Sequence, residues 1–145
     1  MAHVYVLNGP NLGRLGTREP DIYGSMTFEQ LADECRQAAA DLGLSATVLQ
    51  TDDEAELIGW LHRAQDEQAA VVLNPAAFTH YSYAVRDACA MVTTPLVEVH
   101  LSNPSAREEF RHTSVVSGVA TGTITGFGAD SYRLALRAIA SLLAG

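Results

Sequence analysis

The run Ala70-Val-Val-Leu73 restricts the fold of this chain more than any other stretch. A strand exposed on one face alternates apolar and polar residues, whereas one covered on both faces reads as an unbroken apolar run. Val4-Tyr-Val-Leu7 has the same character. Such strands belong to parallel sheets with helices on both faces, so helical segments must separate them. Between these two runs, Phe28, Leu31, Ala32, Cys35, Ala38, Ala39 and Leu42 recur at helical spacing within Met26 to Leu42. Thr27 and Gln30 have capping-box spacing at its start, and Gly43 suits a C-terminal stop.

The alternation continues to the end of the chain. Leu44 to Leu49 reads as a strand and Ala55 to Gln68 as a helix, with Leu57, Ile58, Leu61 and Ala64 facing inward and Trp60 flanking that stripe or facing a neighbouring subunit. Tyr81 to Met91 is a helix, and Leu96 to Leu101 a fourth strand entered through Pro95. Ser102 to Arg111 reads as a polar loop, and Thr113 to Val119 fits neither period. Gly122 to Gly126 is a short fifth strand, and Ala129 to Leu143 a final helix bearing Leu134, Leu136, Ile139 and Leu142. The expectation is one α/β domain over residues 1–145: a five-stranded parallel sheet of flavodoxin-like order, 2-1-3-4-5, with helices on both faces.

Composition narrows the function. A net charge of −8 argues against a nucleic-acid or anionic-membrane surface. No apolar run approaches the roughly 18 residues of a membrane span, and the chain starts directly on a strand-like segment, so a cytoplasmic location is expected. All nine basic residues are arginine. Without lysine there is no Schiff base, no Walker-type phosphate loop and no attachment point for pyridoxal phosphate. Gly9, Gly13 and Gly16, and separately Gly126-Phe-Gly128, fall short of a dinucleotide fingerprint. Cys35 and Cys89 lie inside helical patterns and read as small buried hydrophobes.

Open α/β sheets bind ligands beyond the carboxyl ends of their strands. Strand one ends in a long connection, Asn8 to Gly24, that holds four glycines, two prolines, Arg14, Arg18 and Tyr23. A usual strand-to-helix loop has about 2–6 residues, so this one reads as a lid carrying catalytic groups. Strand three ends at Asn74 and His80; strand four ends at His100 and Ser102 and leads to Arg107 and Arg111, which suit a small anion. Glu98 and His100 are two apart and share a strand face, where a carboxylate orients an imidazole and equips it as a general acid. The pair could also ligate a metal, but no third ligand has suitable spacing, so no metal is expected. Arg18 could stabilise a Tyr23 tyrosinate, although most loop tyrosines simply pack. Asn11, Asn74, His80, Ser102 and Arg111 look like substrate-orienting groups, with a capping role open for Asn74 and Ser102. Asp87 reads as a solvated helix residue or a partner for Arg86 or a neighbouring chain.

Together these motifs resemble the type II 3-dehydroquinate dehydratases over essentially the whole chain. The carriers are Leu7-Asn-Gly-Pro-Asn-Leu12, Arg18-Glu-Pro-Asp-Ile-Tyr-Gly24, Asp52-Asp-Glu-Ala-Glu-Leu57, Asn74-Pro-Ala-Ala-Phe-Thr-His80, Val97-Glu-Val-His-Leu-Ser-Asn103 and Arg107-Glu-Glu-Phe-Arg111. The resemblance implies dehydration of 3-dehydroquinate to 3-dehydroshikimate by anti elimination through an enolate, without a cofactor. Tyr23 matches the base at C2 and Arg18 the arginine that favours tyrosinate. Asn11 matches the residue that holds a water against the enolate oxygen, and His100, oriented by Glu98, the acid that protonates the leaving C1 hydroxyl. Asn74, His80, Leu101, Ser102 and Arg111 match substrate-binding positions, and Asp87 a residue that reaches a neighbouring subunit's site. The family assembles as a dodecamer built from trimers. Tyr81, Tyr83, Pro104, Ser105 and Ser131 depart from its usual pattern without touching a catalytic position. Quinate breakdown in place of the shikimate pathway, a related cyclic hydroxy-keto acid as substrate, and a non-catalytic module binding a small carboxylate or nucleotide stay open.

Overall fold

The two unbroken apolar runs lie side by side in the middle of a sheet covered on both faces. A computed structural model of the chain describes residues 1–17 and 19–145, with every side chain except that of Tyr23. Its strands are β1 (Ala2–Asn8), β2 (Leu44–Gln50), β3 (Ala70–Asn74), β4 (Leu96–His100) and β5 (Gly122–Thr125). All pair in parallel in the order β2-β1-β3-β4-β5, as the alternation of runs led us to expect. The helices are α1 (Pro20–Tyr23), α2 (Phe28–Asp41), α3 (Glu54–Asp66), α4 (Tyr83–Ala90) and α5 (Asp130–Ala144).

The period-two alternation of side chains divides the core into two layers. Val4, Val6, Val72, Val97 and Val99 pack with Leu31, Cys35 and Ala39 of α2 and with Tyr132, Ala135, Leu136 and Ile139 of α5. Tyr5, Leu7, Val71, Leu73 and Leu96 pack with Leu57, Leu61 and Ala64 of α3 and with Val85, Ala88 and Cys89 of α4. Trp60 sits partly buried against that second layer. Burial pushes the thiols of Cys35 and Cys89 up to about 12, consistent with small buried hydrophobes.

Caps set the helix starts. Thr27 Oγ1 accepts from the Gln30 N–H at 3.2 Å while Gln30 Oε1 accepts from the Thr27 N–H at 2.9 Å, closing the capping box. Ser82 Oγ accepts from the Val85 N–H at 3.1 Å, so α4 begins at Tyr83, two residues later than its apolar pattern suggested. On α5, Leu136 and Ile139 are buried, but Leu134 and Leu142 are 46% and 50% exposed. Its inward stripe is Tyr132, Ala135, Leu136 and Ile139, the i, i+3, i+4, i+7 set that starts from Tyr132.

The long connection after β1 is not a plain loop. It contains a 3₁₀ turn at Leu12–Arg14 and the one-turn helix α1. Leu12 and Leu15 are buried in the α2/α5 layer, which anchors the first half of the connection. Its first residue must be glycine: a Cβ on Gly9 would lie 2.5 Å from the Pro75 carbonyl oxygen. The Gly9 N–H donates to the Asn74 carbonyl at 2.8 Å, so the ends of β1 and β3 are held in close backbone contact. Gly9→Ala is therefore expected to destabilise the fold by about 1–3 kcal/mol, the usual cost of overpacking. Chemical denaturation checks this; unchanged stability would contradict the close approach.

Candidate active site

The parallel register places Asn8 beside both Gln50 and Asn74, so the carboxyl ends of three strands form one rim. Beyond that rim and the end of β4 lies a cavity of about 480 Å³, open mouth included, lined by Asn11, Asn74, His80, His100, Leu101, Ser102 and Arg111. Pro10, Leu12 and Arg107 also line it. Seven residues singled out from the sequence thus converge on one cavity.

Glu98 and His100 occupy the β4 face that looks toward α4. Glu98 is only 1% exposed, and His100 Nε2 lies 2.6 Å from Glu98 Oε2. Ser117 Oγ donates to Glu98 Oε1 at 2.7 Å, Ser114 Oγ lies 3.1 Å from both carboxylate oxygens, and the Thr79 hydroxyl donates to Oε2. Burial pushes the carboxyl pKa up, but the bonds from His100, Thr79 and Ser117 and the charge of His100 outweigh it. The group is held below the ordinary carboxylate value. An ionised carboxylate only accepts, so the hydrogen between the two residues sits on Nε2 of His100. That leaves Nδ1 as the ring nitrogen able to exchange a proton with a bound molecule.

His80 Nδ1 lies 2.8 Å from the Thr113 carbonyl oxygen and must donate to it, which leaves its Nε2 uncommitted. Phe110 packs edge-on to His80, and the Arg111 guanidinium lies 4.7 Å above the Phe110 ring. Arg111 Nε donates to Glu108 at 3.1 Å, and its remaining N–H groups can meet an anion. Arg107, with a side chain only 10% exposed, forms an ion pair with Glu19 at 3.5 Å. This pair ties the cavity to the connection, and Ile22 and Gly24 border a groove shared with Leu101, Ser102 and Arg107. The helix α1 therefore runs along the cavity rim.

Asn11 adopts a left-handed conformation (φ 70°), which asparagine tolerates better than most residues. Its N–H donates to Asp52 Oδ1 at 2.8 Å, and Gln50 Nε2 donates to the Gly9 carbonyl at 3.2 Å. The end of β2 thus holds the first turn of the connection. Asp87 is not among the residues lining the cavity; its side chain is 72% exposed on α4 and pairs with Arg86 at 2.9 Å. Arg18 and the side chain of Tyr23 lie outside the described residues. Among the described residues no group of three His, Cys, Asp or Glu side chains is arranged to hold a metal ion.

Sequence reasoning missed Thr79, Ser114 and Ser117 around Glu98. The usable signal was the acid itself, since a carboxylate on a buried strand needs hydroxyl or N–H donors nearby. It also missed Tyr132 and Asn8, whose polar atoms meet that of Asn74 beneath the cavity. Since Glu98 has a depressed pKa in the fold, its contribution to stability is present above the ordinary value near ~4.3 and is lost as pH falls through the depressed one. The stability gap between the protein and its Glu98→Gln variant is expected to narrow on acidification below about pH 4. Denaturation at several pH values checks this, and a constant or widening gap would contradict it.

A family model described as dehydroquinase class II matches residues 2–140. The 3-dehydroquinate dehydratase of Salinispora tropica is 64% identical over 138 residues, covering 95% of this chain and 96% of that protein. The 3-dehydroquinate dehydratase of Mycobacterium avium is 57% identical over 137 residues, covering 94% and 96%. The crystal structure of type II dehydroquinase from Propionibacterium acnes superposes with a TM-score of 0.96 at 51% identity, covering 97% of each chain.

Proposed function

The chain belongs to the class II dehydroquinase family, and on that premise we propose that it dehydrates 3-dehydroquinate to 3-dehydroshikimate through an enolate. The single observation that carries the mechanism is the Glu98–His100 bond at the cavity wall, 2.6 Å long and backed by three hydroxyls. It supports His100 as the general acid, giving its Nδ1 proton to the departing C1 hydroxyl, which leaves as water. The electron pair for the new double bond comes from C2, whose proton goes to Tyr23 as tyrosinate. Arg18, five residues before Tyr23 on the same connection, favours the ionised phenol.

Asn11 holds a water against the developing enolate oxygen, stabilising charge where it appears in the transition state. Arg111, with Ser102 and the backbone at Leu101, receives the substrate carboxylate, while Asn74 and His80 meet ring hydroxyls. No step needs a metal or an organic cofactor. The lysine-free composition supports this route over an imine mechanism, which requires a lysine. Residues 1–145 act as one catalytic domain in the shikimate pathway. No helix among the described residues is long and apolar enough to cross a membrane, and the chemistry suits a cytoplasmic enzyme.

Purified protein mixed with 3-dehydroquinate is expected to generate the ultraviolet absorbance of a conjugated enone; absence of turnover would sink the reading. Tyr23→Phe is expected to lower kcat by roughly 10²–10⁴-fold, the usual range for a positioned base, with substrate binding retained. A fall of less than about tenfold would exclude the tyrosinate role.

The exposed position of Asp87 supports a role outside its own chain's cavity. We propose that it serves the site of a neighbouring subunit, in a dodecamer built from trimers. Asp87→Ala and His100→Ala proteins, each inactive alone, are expected to regain activity when mixed and reassembled, because some mixed interfaces contain one intact site. No recovery in demonstrably mixed oligomers would refute the sharing.

A further inference from the structure

Tyr132 is fully buried, yet its hydroxyl sits in the middle of a line of hydrogen bonds beneath the cavity. Asn8 Nδ2 donates to the Leu49 carbonyl at 3.0 Å, and the Tyr132 hydroxyl donates to Asn8 Oδ1 at 2.6 Å. Asn74 Nδ2 donates to the Tyr132 oxygen at 2.9 Å, and the Ala76 N–H donates to Asn74 Oδ1 at 3.0 Å. The two ends of the line are backbone groups of single polarity: a carbonyl only accepts and an N–H only donates. The direction of every bond between them is therefore forced. Turning either amide over would set acceptor against acceptor at Leu49 or donor against donor at Ala76. Burial also pushes the Tyr132 hydroxyl pKa up, so it stays protonated and the direction does not change with pH.

The consequence falls on Asn74, which lines the cavity. One lone pair of its oxygen is committed to Ala76 and one hydrogen of Nδ2 to Tyr132. What the side chain has left to offer is the second hydrogen of Nδ2 and one lone pair of Oδ1, and the two cannot exchange places. We propose that Tyr132 is a positioning residue that, with Ala76, holds the Asn74 amide in one orientation, so that its free Nδ2 hydrogen meets an acceptor oxygen of the substrate. For a polyhydroxy cyclic acid the acceptor is a ring hydroxyl oxygen, and its proton must find a partner elsewhere, for which the uncommitted Nε2 of His80 is suited. This inference rests on the dehydratase reading above and deepens it.

The test compares kcat, KM for 3-dehydroquinate and thermal midpoint in the wild type, Tyr132→Phe, Asn74→Ala and the double variant. Tyr132→Phe is expected to raise KM about tenfold, with a smaller fall in kcat, because Asn74 then keeps only its Ala76 bond and can swing out of position. In the Asn74→Ala background the same change is expected to leave KM where it is. An unchanged KM in Tyr132→Phe, or the same KM factor in both backgrounds, would overturn the proposal in favour of a purely structural hydroxyl. Should Tyr132→Phe fail to fold, the wild type supplies the readout through the two Nδ2 protons of Asn74 in a ¹⁵N-resolved spectrum. Quinate is expected to shift one of them and leave the one bonded to Tyr132 in place; equal shifts, or none, would overturn the proposal. A wild type without turnover defeats the dehydratase reading and this inference with it, whereas turnover with an unresponsive Tyr132→Phe defeats the inference alone.

Discussion

A carboxylate with 1% of its surface exposed is the constraint around which the catalytic side of the molecule is arranged. Moving such a charge out of water costs several kcal/mol unless hydrogen bonds replace the lost hydration. At Glu98 those bonds come from three separate pieces of chain: Thr79 from the turn after β3, Ser114 and Ser117 from the irregular segment before β5, and His100 from β4 itself. Satisfying the acid therefore draws the 75–80 turn and the 113–117 segment onto the end of β4. The same contacts that keep the acid ionised also fix the imidazole ring plane. The position of the His100 ring and the placement of its Nε2 hydrogen follow from one burial problem.

The opposite face of the sheet solves a matching problem with neutral groups. Alternation sends Glu98 and His100 toward α4 but sends Asn8 and Asn74 toward α5, where Tyr132 meets them. The cavity lies beyond the strand ends, between two polar clusters that reach it from opposite sides. One is charged and holds His100, the proposed proton donor. The other is uncharged, runs in one direction, and holds Asn74, the proposed recognition residue. Tying each polar group to backbone or to a second buried group means neither side chain has to reorder when a ligand arrives, which is the condition for effective electrostatic stabilisation.

How much of this was legible depended on whether a residue obeyed a period. The unbroken runs at Val4–Leu7 and Ala70–Leu73 foretold a sheet covered on both faces, and the order of five strands followed. Glu98 and His100 were legible as a pair because strand geometry puts alternate residues on one face. Ser114 and Ser117 were not, because their segment matches neither a strand nor a helix and its conformation is set by the acid it serves. Tyr132 was hidden for a different reason: an inward tyrosine on an amphipathic helix has the same spacing as any core aromatic. On the last helix only the full i, i+3, i+4, i+7 set starting from Tyr132 identifies the inward face, since leucine at a helix surface, as at Leu134 and Leu142, is common. Asp87 pairs with Arg86 on the exposed face of α4, one of the readings its sequence left open.

The connection after β1 combines both kinds of behaviour, and its anchoring bears on how a lid here can work. Leu12 and Leu15 are held in the core, and Asp52 and Gln50 bind the backbone at Asn11 and Gly9. Gly16 and Gly24 both have positive φ, at 94° and 78°, and a Cβ on Gly16 would come within 3.2 Å of the Ser25 carbonyl oxygen. The two ends of the segment that carries α1 therefore meet at its base, where a side chain on Gly16 would crowd Ser25. A closure that moves α1 over the cavity must pivot between Leu15 and Met26 and leave Asn11 where it is. Asn11 thus belongs with the fixed wall, although it shares a connection with Tyr23. That division suits the proposed chemistry: the water that meets enolate charge has to be in place before the base arrives, because reorganising it during proton transfer would add to the barrier.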